Sequence, residues 1–176
     1  SWTSTEELHL IDTVPAGEYV LHEEIAPDGY VTASDVTFTV EATGEVQKVE
    51  MQDDITKVQI SKTDITTGKE LAGAKLEIRD KDGKTVESWI STDEPHYMEK
   101  LPVGKYVLHE ESAPDGYEIA EDVEFTVADT GEIQKVEMKD QKIGKIITKM
   151  PENFQSGKST APKTGDSFPT ATVLIC

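Results

Sequence analysis

Between Ile55 and Gln141 apolar and polar residues alternate in short runs. The apolar positions fall at Val58/Ile60, Leu76/Ile78, Tyr106/Leu108, Val123/Phe125/Val127 and Val136/Met138. That period of two turns one side of a strand towards a core. The runs are separated by Thr67-Gly68, Asp82-Gly83, Pro102-Val103-Gly104, Pro114-Asp115-Gly116 and Thr130-Gly131, residue types that reverse a chain. No stretch keeps a helical period. About seven short strands so spaced predict an all-β fold, a two-sheet antiparallel β-sandwich of Ig-like kind.

The chain also repeats itself. Moved by 87 residues, Ser1–Asp53 falls on Ser88–Asp140 with 34 of 53 positions identical, so the two segments are copies of one module. Tyr19-Val20-Leu21-His22-Glu23-Glu24 returns as Tyr106-Val107-Leu108-His109-Glu110-Glu111, and Ala26-Pro27-Asp28-Gly29-Tyr30 as Ala113-Pro114-Asp115-Gly116-Tyr117. The first copy has no counterpart of Ile55–Glu87. Residues 1–53 therefore read as the C-terminal part of a module, and residues 54–141 as a complete one. Residues 142–160 read as a strand remnant followed by a flexible linker rich in Ser, Gly and Asn. Residues 161–176 carry a short signal and the start of an apolar run. Both ends of the chain read as cut.

Strand alternation puts three ionisable side chains on the apolar face. Lys62 follows Val58 and Ile60, Glu110 follows Leu108, and Asp140 follows Val136 and Met138. The first copy repeats two of them, as Leu21/Glu23 and Val49/Met51/Asp53. Each could sit at the rim of the sandwich and reach water, or the three could form a buried ionic triad, a poor source of stability. A third reading is chemical. Desolvation disfavours a lysine ammonium and pushes neighbouring carboxyls towards the neutral acid. A neutral amine beside a neutral carboxylic acid is a nucleophile facing an electrophile, and a second carboxyl can polarise the carbonyl and carry protons. The product is an amide between Lys62 and Asp140. Glu111 and Glu24 are second choices for the acid, turned outward by the alternation.

Composition narrows the partners. The net charge of −18 repels nucleic acid and anionic membrane surfaces. The one cysteine, Cys176, excludes an intramolecular disulfide. His22 and His109 have no second histidine at metal-ligand spacing, and Asp80-Lys81-Asp82-Gly83 lacks the distal Glu of a calcium loop and fits a hairpin turn. No phosphate loop, nucleophile elbow or Cys/His pair is present, so no metal, cofactor or dinucleotide is expected. Trp2 and Trp89 occupy one repeat position and are expected to pack.

Three runs carry a family resemblance: Val58-Gln59-Ile60-Ser61-Lys62-Thr63-Asp64, Gly68-Lys69-Glu70-Leu71-Ala72-Gly73-Ala74, and Tyr106–Tyr117. They resemble the collagen-adhesin B-type domain (SpaA-like, prealbumin-like) of Gram-positive adhesins and pilins. The resemblance covers nearly all of residues 1–141. It implies an isopeptide bond from Lys62 to Asp140 with Glu110 as catalytic acid, and, in the first copy, Glu23 and Asp53 in the matching roles. Ala161-Pro162-Lys163-Thr164-Gly165-Asp166 resembles a sortase sorting signal, with Ala161 where Leu is usual. That implies cleavage between Thr164 and Gly165, with sortase and peptidoglycan as partners and a transient membrane tether beforehand. The expected function is the stalk of an extracellular, cell-wall-anchored adhesin or minor pilin, not an enzyme beyond a single autocatalytic turnover. The alternatives are a module that binds a host or glycan ligand, or the accessory stalk of a surface enzyme.

Overall fold

The computed structural model describes residues 1–144. In chain order the first copy and its exit contribute β1 (Gly17–Leu21), β2 (Tyr30–Val31), β3 (Val36–Val40) and β4 (Asp54–Ile55). The second copy contributes β5 (Lys57–Asp64), β6 (Lys75–Asp80), β7 (Thr85–Ile90), β8 (His96–Glu99), β9 (Gly104–Ser112), β10 (Val123–Val127) and β11 (Ile133–Asp140). Among the described residues there is no helix.

The seven strands of the second copy form two sheets, ordered β10-β9-β6-β7 and β11-β5-β8. Their facing sides meet in one core. Val58, Ile60, Met98 and Met138 come from the three-stranded sheet, and Leu76, Ile78, Leu108 and Val127 from the four-stranded one. These are the inward positions of an alternating strand, and β5 shows the pattern as far as Lys62, with Val58, Ile60 and Lys62 buried and Lys57, Gln59 and Ser61 half-buried. The Asp80–Gly83 segment closes the β6–β7 hairpin. Asp80 Oδ1 accepts the Asp82 and Lys84 amides, both at 2.9 Å, so that carboxylate serves the turn. Gly83 adopts φ +78°, a conformation that glycine enters without a Cβ clash.

Among the described residues every strand pairing is antiparallel but one. β5 and β11 run parallel and in register, from Lys57 opposite Ile133 to Asp64 opposite Asp140. A period of two is the same for either direction, so alternation could not reveal this. The chain reaches β11 only after crossing the other sheet, a connection long enough to permit parallel pairing.

The first copy rebuilds one hairpin of the second. β1 pairs β3 with Tyr19 opposite Phe38, as β9 pairs β10 with Tyr106 opposite Phe125. In both, the tyrosine hydroxyl donates 2.9 Å to a proline carbonyl four residues earlier, Pro15 or Pro102. Val46–Asp53, the counterpart of β11, forms no strand. The strand it would lie against corresponds to β5, and no residue of the first copy supplies it.

Leu108 is wholly buried, whereas its repeat partner Leu21 is half-exposed. Leu108→Ala is expected to cost about 3 kcal/mol, and Leu21→Ala less than half of that, measured by urea unfolding of the full chain.

Candidate functional site

The three inward ionisable residues come together. Lys62 and Asp140 lie on neighbouring strands of one sheet, and Glu110 reaches them from the sheet opposite. Their exposures are 2%, 0% and 1%, which removes the rim position from consideration. Lys62 Nζ donates a hydrogen bond to Asp140 Oδ1 and lies 2.9 Å from Glu110 Oε1. The second approach is close enough for charge attraction, but its angles are not those of a hydrogen bond. Glu110 Oε1 and Asp140 Oδ2 are therefore buried side-chain oxygens without a hydrogen-bond partner among the described residues. The other oxygen of Glu110 accepts the Ala120 amide at 2.7 Å, which fixes the carboxyl and aims Oε1 at the lysine. Burial pushes the Asp140 carboxyl above its ordinary range, and Glu110 adds to this while Lys62 opposes it.

The lysine is also held through its backbone. Its amide donates to Glu70 Oε2 at 3.1 Å, and its carbonyl accepts from the Leu71 amide at 2.7 Å. A cavity of about 100 Å³ reaches Lys62 from the β7–β8 side, lined among others by Glu70, Trp89, Ser91 and His96.

Beside the triad sits a latch. Asp64 accepts hydrogen bonds from the Tyr117 hydroxyl at 2.8 Å and from the Thr66 and Thr67 amides at 2.7 and 3.1 Å. Lys142 Nζ lies 3.3 Å away. The Tyr117 hydrogen bond, the turn amides and Lys142 together hold the Asp64 carboxyl at about 2. The Ile65 amide donates to the Asp140 carbonyl at 3.0 Å, so the latch joins the exits of β5 and β11. Sequence reasoning missed Glu70, Asp64, Tyr117 and Lys142 as parts of this site. The run Asp64-Ile65-Thr66-Thr67-Gly68 did carry a readable signal, that of an Asx turn. Nothing local marks Glu70.

Glu23 and Asp53 occupy the matching places in the first copy without the lysine. Glu23 Oε2 accepts the Ala33 amide at 2.7 Å, as Glu110 accepts that of Ala120. Partial burial, then the charge of Glu23, raises the Asp53 carboxyl. Among the described residues no lysine pairs with either of them. Glu111 is exposed and pairs with Lys75 at 2.7 Å; Glu24 is exposed too. His22 and His109 bond Asp35 and Asp122, at 2.6 and 2.7 Å. Trp89 packs against the core and stacks on His96, while Trp2 stacks on His9 and stays 46% exposed. Pro162, Lys163, Thr164 and Gly165 lie outside the described residues.

Because Asp64 titrates lower folded than unfolded, it stabilises the fold above about pH 4, the ordinary carboxylate value, and ceases to as pH falls towards 2. The stability difference between wild type and Asp64→Asn is expected to be full at about pH 6 and to close between about pH 4 and 2. Urea unfolding midpoints across that range measure it.

A family model described as the SpaA prealbumin-like fold domain matches residues 1–55 and again residues 56–142. No curated protein matches the chain. Among solved structures, the Bacillus anthracis TIE protein aligns with a TM-score of 0.52 at 34% identity, over 74% of this chain and 26% of that one. The shaft pilin SpaA from Lactobacillus rhamnosus GG aligns at 0.44 and 19% identity, over 72% of this chain and 65% of the pilin. The major pilin subunit of Bacillus cereus aligns at 0.43 and 28% identity, over 48% and 28%. The chain spans less than two thirds of each of these proteins. It belongs to the family of SpaA prealbumin-like fold domains, whose model matches it twice in succession.

Proposed function

We propose that these modules form the structural stalk of an extracellular surface protein, an adhesin or minor pilin, and that the complete module is closed by a Lys62–Asp140 isopeptide bond. The observation that carries this is the contact of Lys62 Nζ with Asp140 Oδ1 inside the core, with Glu110 Oε1 at 2.9 Å. On this reading the module boundaries are residues 1–53 and 54–141.

The reaction is a condensation. Lys62 Nζ attacks Asp140 Cγ, the new C–N bond forms, and one Asp140 C–O bond breaks. Starting from an ammonium and a carboxylate, Nζ gives up two protons and the departing oxygen receives both, leaving as water. Glu110 stands where it can relay them, its unbonded oxygen next to the amine. Burial favours the uncharged Asp140 carboxyl, the form an amine can attack. Folding brings the reactants into contact and so replaces an activating cofactor. Lys62 and Asp140 stand 78 positions apart, and by analogy with a disulfide, closing such a loop restricts the unfolded chain by about 4–5 kcal/mol.

Intact mass spectrometry of the full chain is expected to read one water below the sequence mass. Glu110→Gln should retain that water or lose it far more slowly, and Lys62→Ala should retain it. A folded wild type at full sequence mass would sink the bond.

Anchoring completes the proposal. Pro162-Lys163-Thr164-Gly165 follows a polar stretch that a groove can grip in extended form, and Pro162 biases Ala161 to that conformation. With the full-length gene expressed in its host and the wall digested by muramidase, peptide mapping is expected to find Thr164 joined to a wall-peptide amine. Recovery of mature surface protein continuing through Gly165 to Cys176 would rule anchoring out.

A further inference from the structure

The two copies meet at one turn. The Gly29 carbonyl accepts the Thr56 amide at 3.1 Å. Thr56 is wholly buried, its hydroxyl donates to the Leu101 carbonyl at 2.6 Å, and its carbonyl accepts the Lys100 amide at 3.0 Å. Lys100 itself adopts φ +59°, uncommon for a residue with a side chain. Its backbone comes so near that a Cβ on Gly29 would stand 2.8 Å from Lys100 Cα. Lys100 Nζ then lies 4.6 Å from the Tyr30 ring centroid and donates to its hydroxyl at 2.7 Å. The Thr32 amide donates to Asp129 Oδ1 at 2.9 Å.

The second copy holds the same turn with no such neighbour among the described residues. Gly116 has φ +86° against +83° at Gly29, and its carbonyl accepts the Ile143 amide at 2.9 Å. A Cβ on Gly116 would meet nothing within 4 Å among the described residues. Left-handed backbone explains both glycines, but only Gly29 is also pressed against another module.

We propose that the Asp28-Gly29-Tyr30 turn is a coupling seat, an interaction surface whose occupant is the pole of the following module built from Thr56, Lys100, Leu101 and Asp129. Its chemistry is a bare glycine that admits backbone and an aromatic face that takes a cation, with the Thr32 amide just beyond the turn taking a carboxylate. Seated, the two modules hold one orientation instead of swinging on a linker. This deepens the stalk reading and rests on it, but requires neither the cross-link nor the anchor.

The two glycines supply the test, since the same substitution strains the same backbone at both. Amide exchange of the full chain by NMR is expected to show Thr56 and Lys100 strongly protected, and dipolar couplings to fit one alignment for both copies. Gly29→Ala should cut that protection by at least about tenfold and separate the alignments, while Gly116→Ala leaves both as in wild type. Should Gly29→Ala unfold the first copy outright, Lys100→Gln removes the cation and leaves Gly29 untouched; protection at Thr56 is then expected to fall by about threefold or more. Unprotected Thr56 and Lys100 in wild type, equal effects of the two alanines, or an inert Lys100→Gln would overturn the seat. Intact mass recorded on the same samples separates the readings: a full-mass wild type with a protected joint strikes the cross-link and leaves the seat standing.

Discussion

An ammonium and two carboxyl groups shut away from water are each unfavourable unless they meet opposite charge and hydrogen-bond partners. Lys62, Glu110 and Asp140 therefore have to meet, and the arrangement of the second copy follows from that need. The first strand must lie beside the last, and the sheet carrying Glu110 must close over both. The Ala120 amide must then cap the outer oxygen of Glu110. A pairing shifted by one residue would turn one of the three towards solvent and strand the others. The first copy shows the converse. With Glu23 and Asp53 present but no lysine-bearing strand beside them among the described residues, Val46–Asp53 forms no strand.

Much of this was legible because strands write their faces into the chain. The alternation identified the core of β5, β9 and β11, and the same alternation placed a charge at the end of each. What alternation cannot carry is direction and neighbourhood. Val136 and Met138 would read identically on a strand antiparallel to β5. Glu70 reaches the Lys62 amide from a loop, where no period assigns a face. Lys142 joins Asp64 and Tyr117 across long separations, and only the folded chain brings those three to one point. The sequence did display the repeat of Asp-Gly-Tyr, yet the two turns are the same string, and only the structure shows that, among the described residues, Gly29 alone has another module against it.

The latch and the triad divide the work at the end of the sandwich. Asp64 is held as an anion by hydroxyl, amides and ammonium together, while Asp140, one strand away, is shifted the other way by burial. Two aspartates opposite each other in one register are thus kept in different environments. The charged one fastens the strand ends, and the buried one faces the lysine. Environment, not residue type, separates their roles.

The parallel pairing of β5 and β11 has a mechanical consequence. The module is entered at Lys57 and left at Asp140, and these residues stand at opposite ends of one ladder, Lys57 facing Ile133 and Asp140 facing Asp64. Pulling on the two termini slides one strand lengthwise past the other. All the slanted bonds of the parallel ladder are then loaded together in shear. A hairpin pulled at its open end is peeled one rung at a time, and gives way at the strength of a single rung.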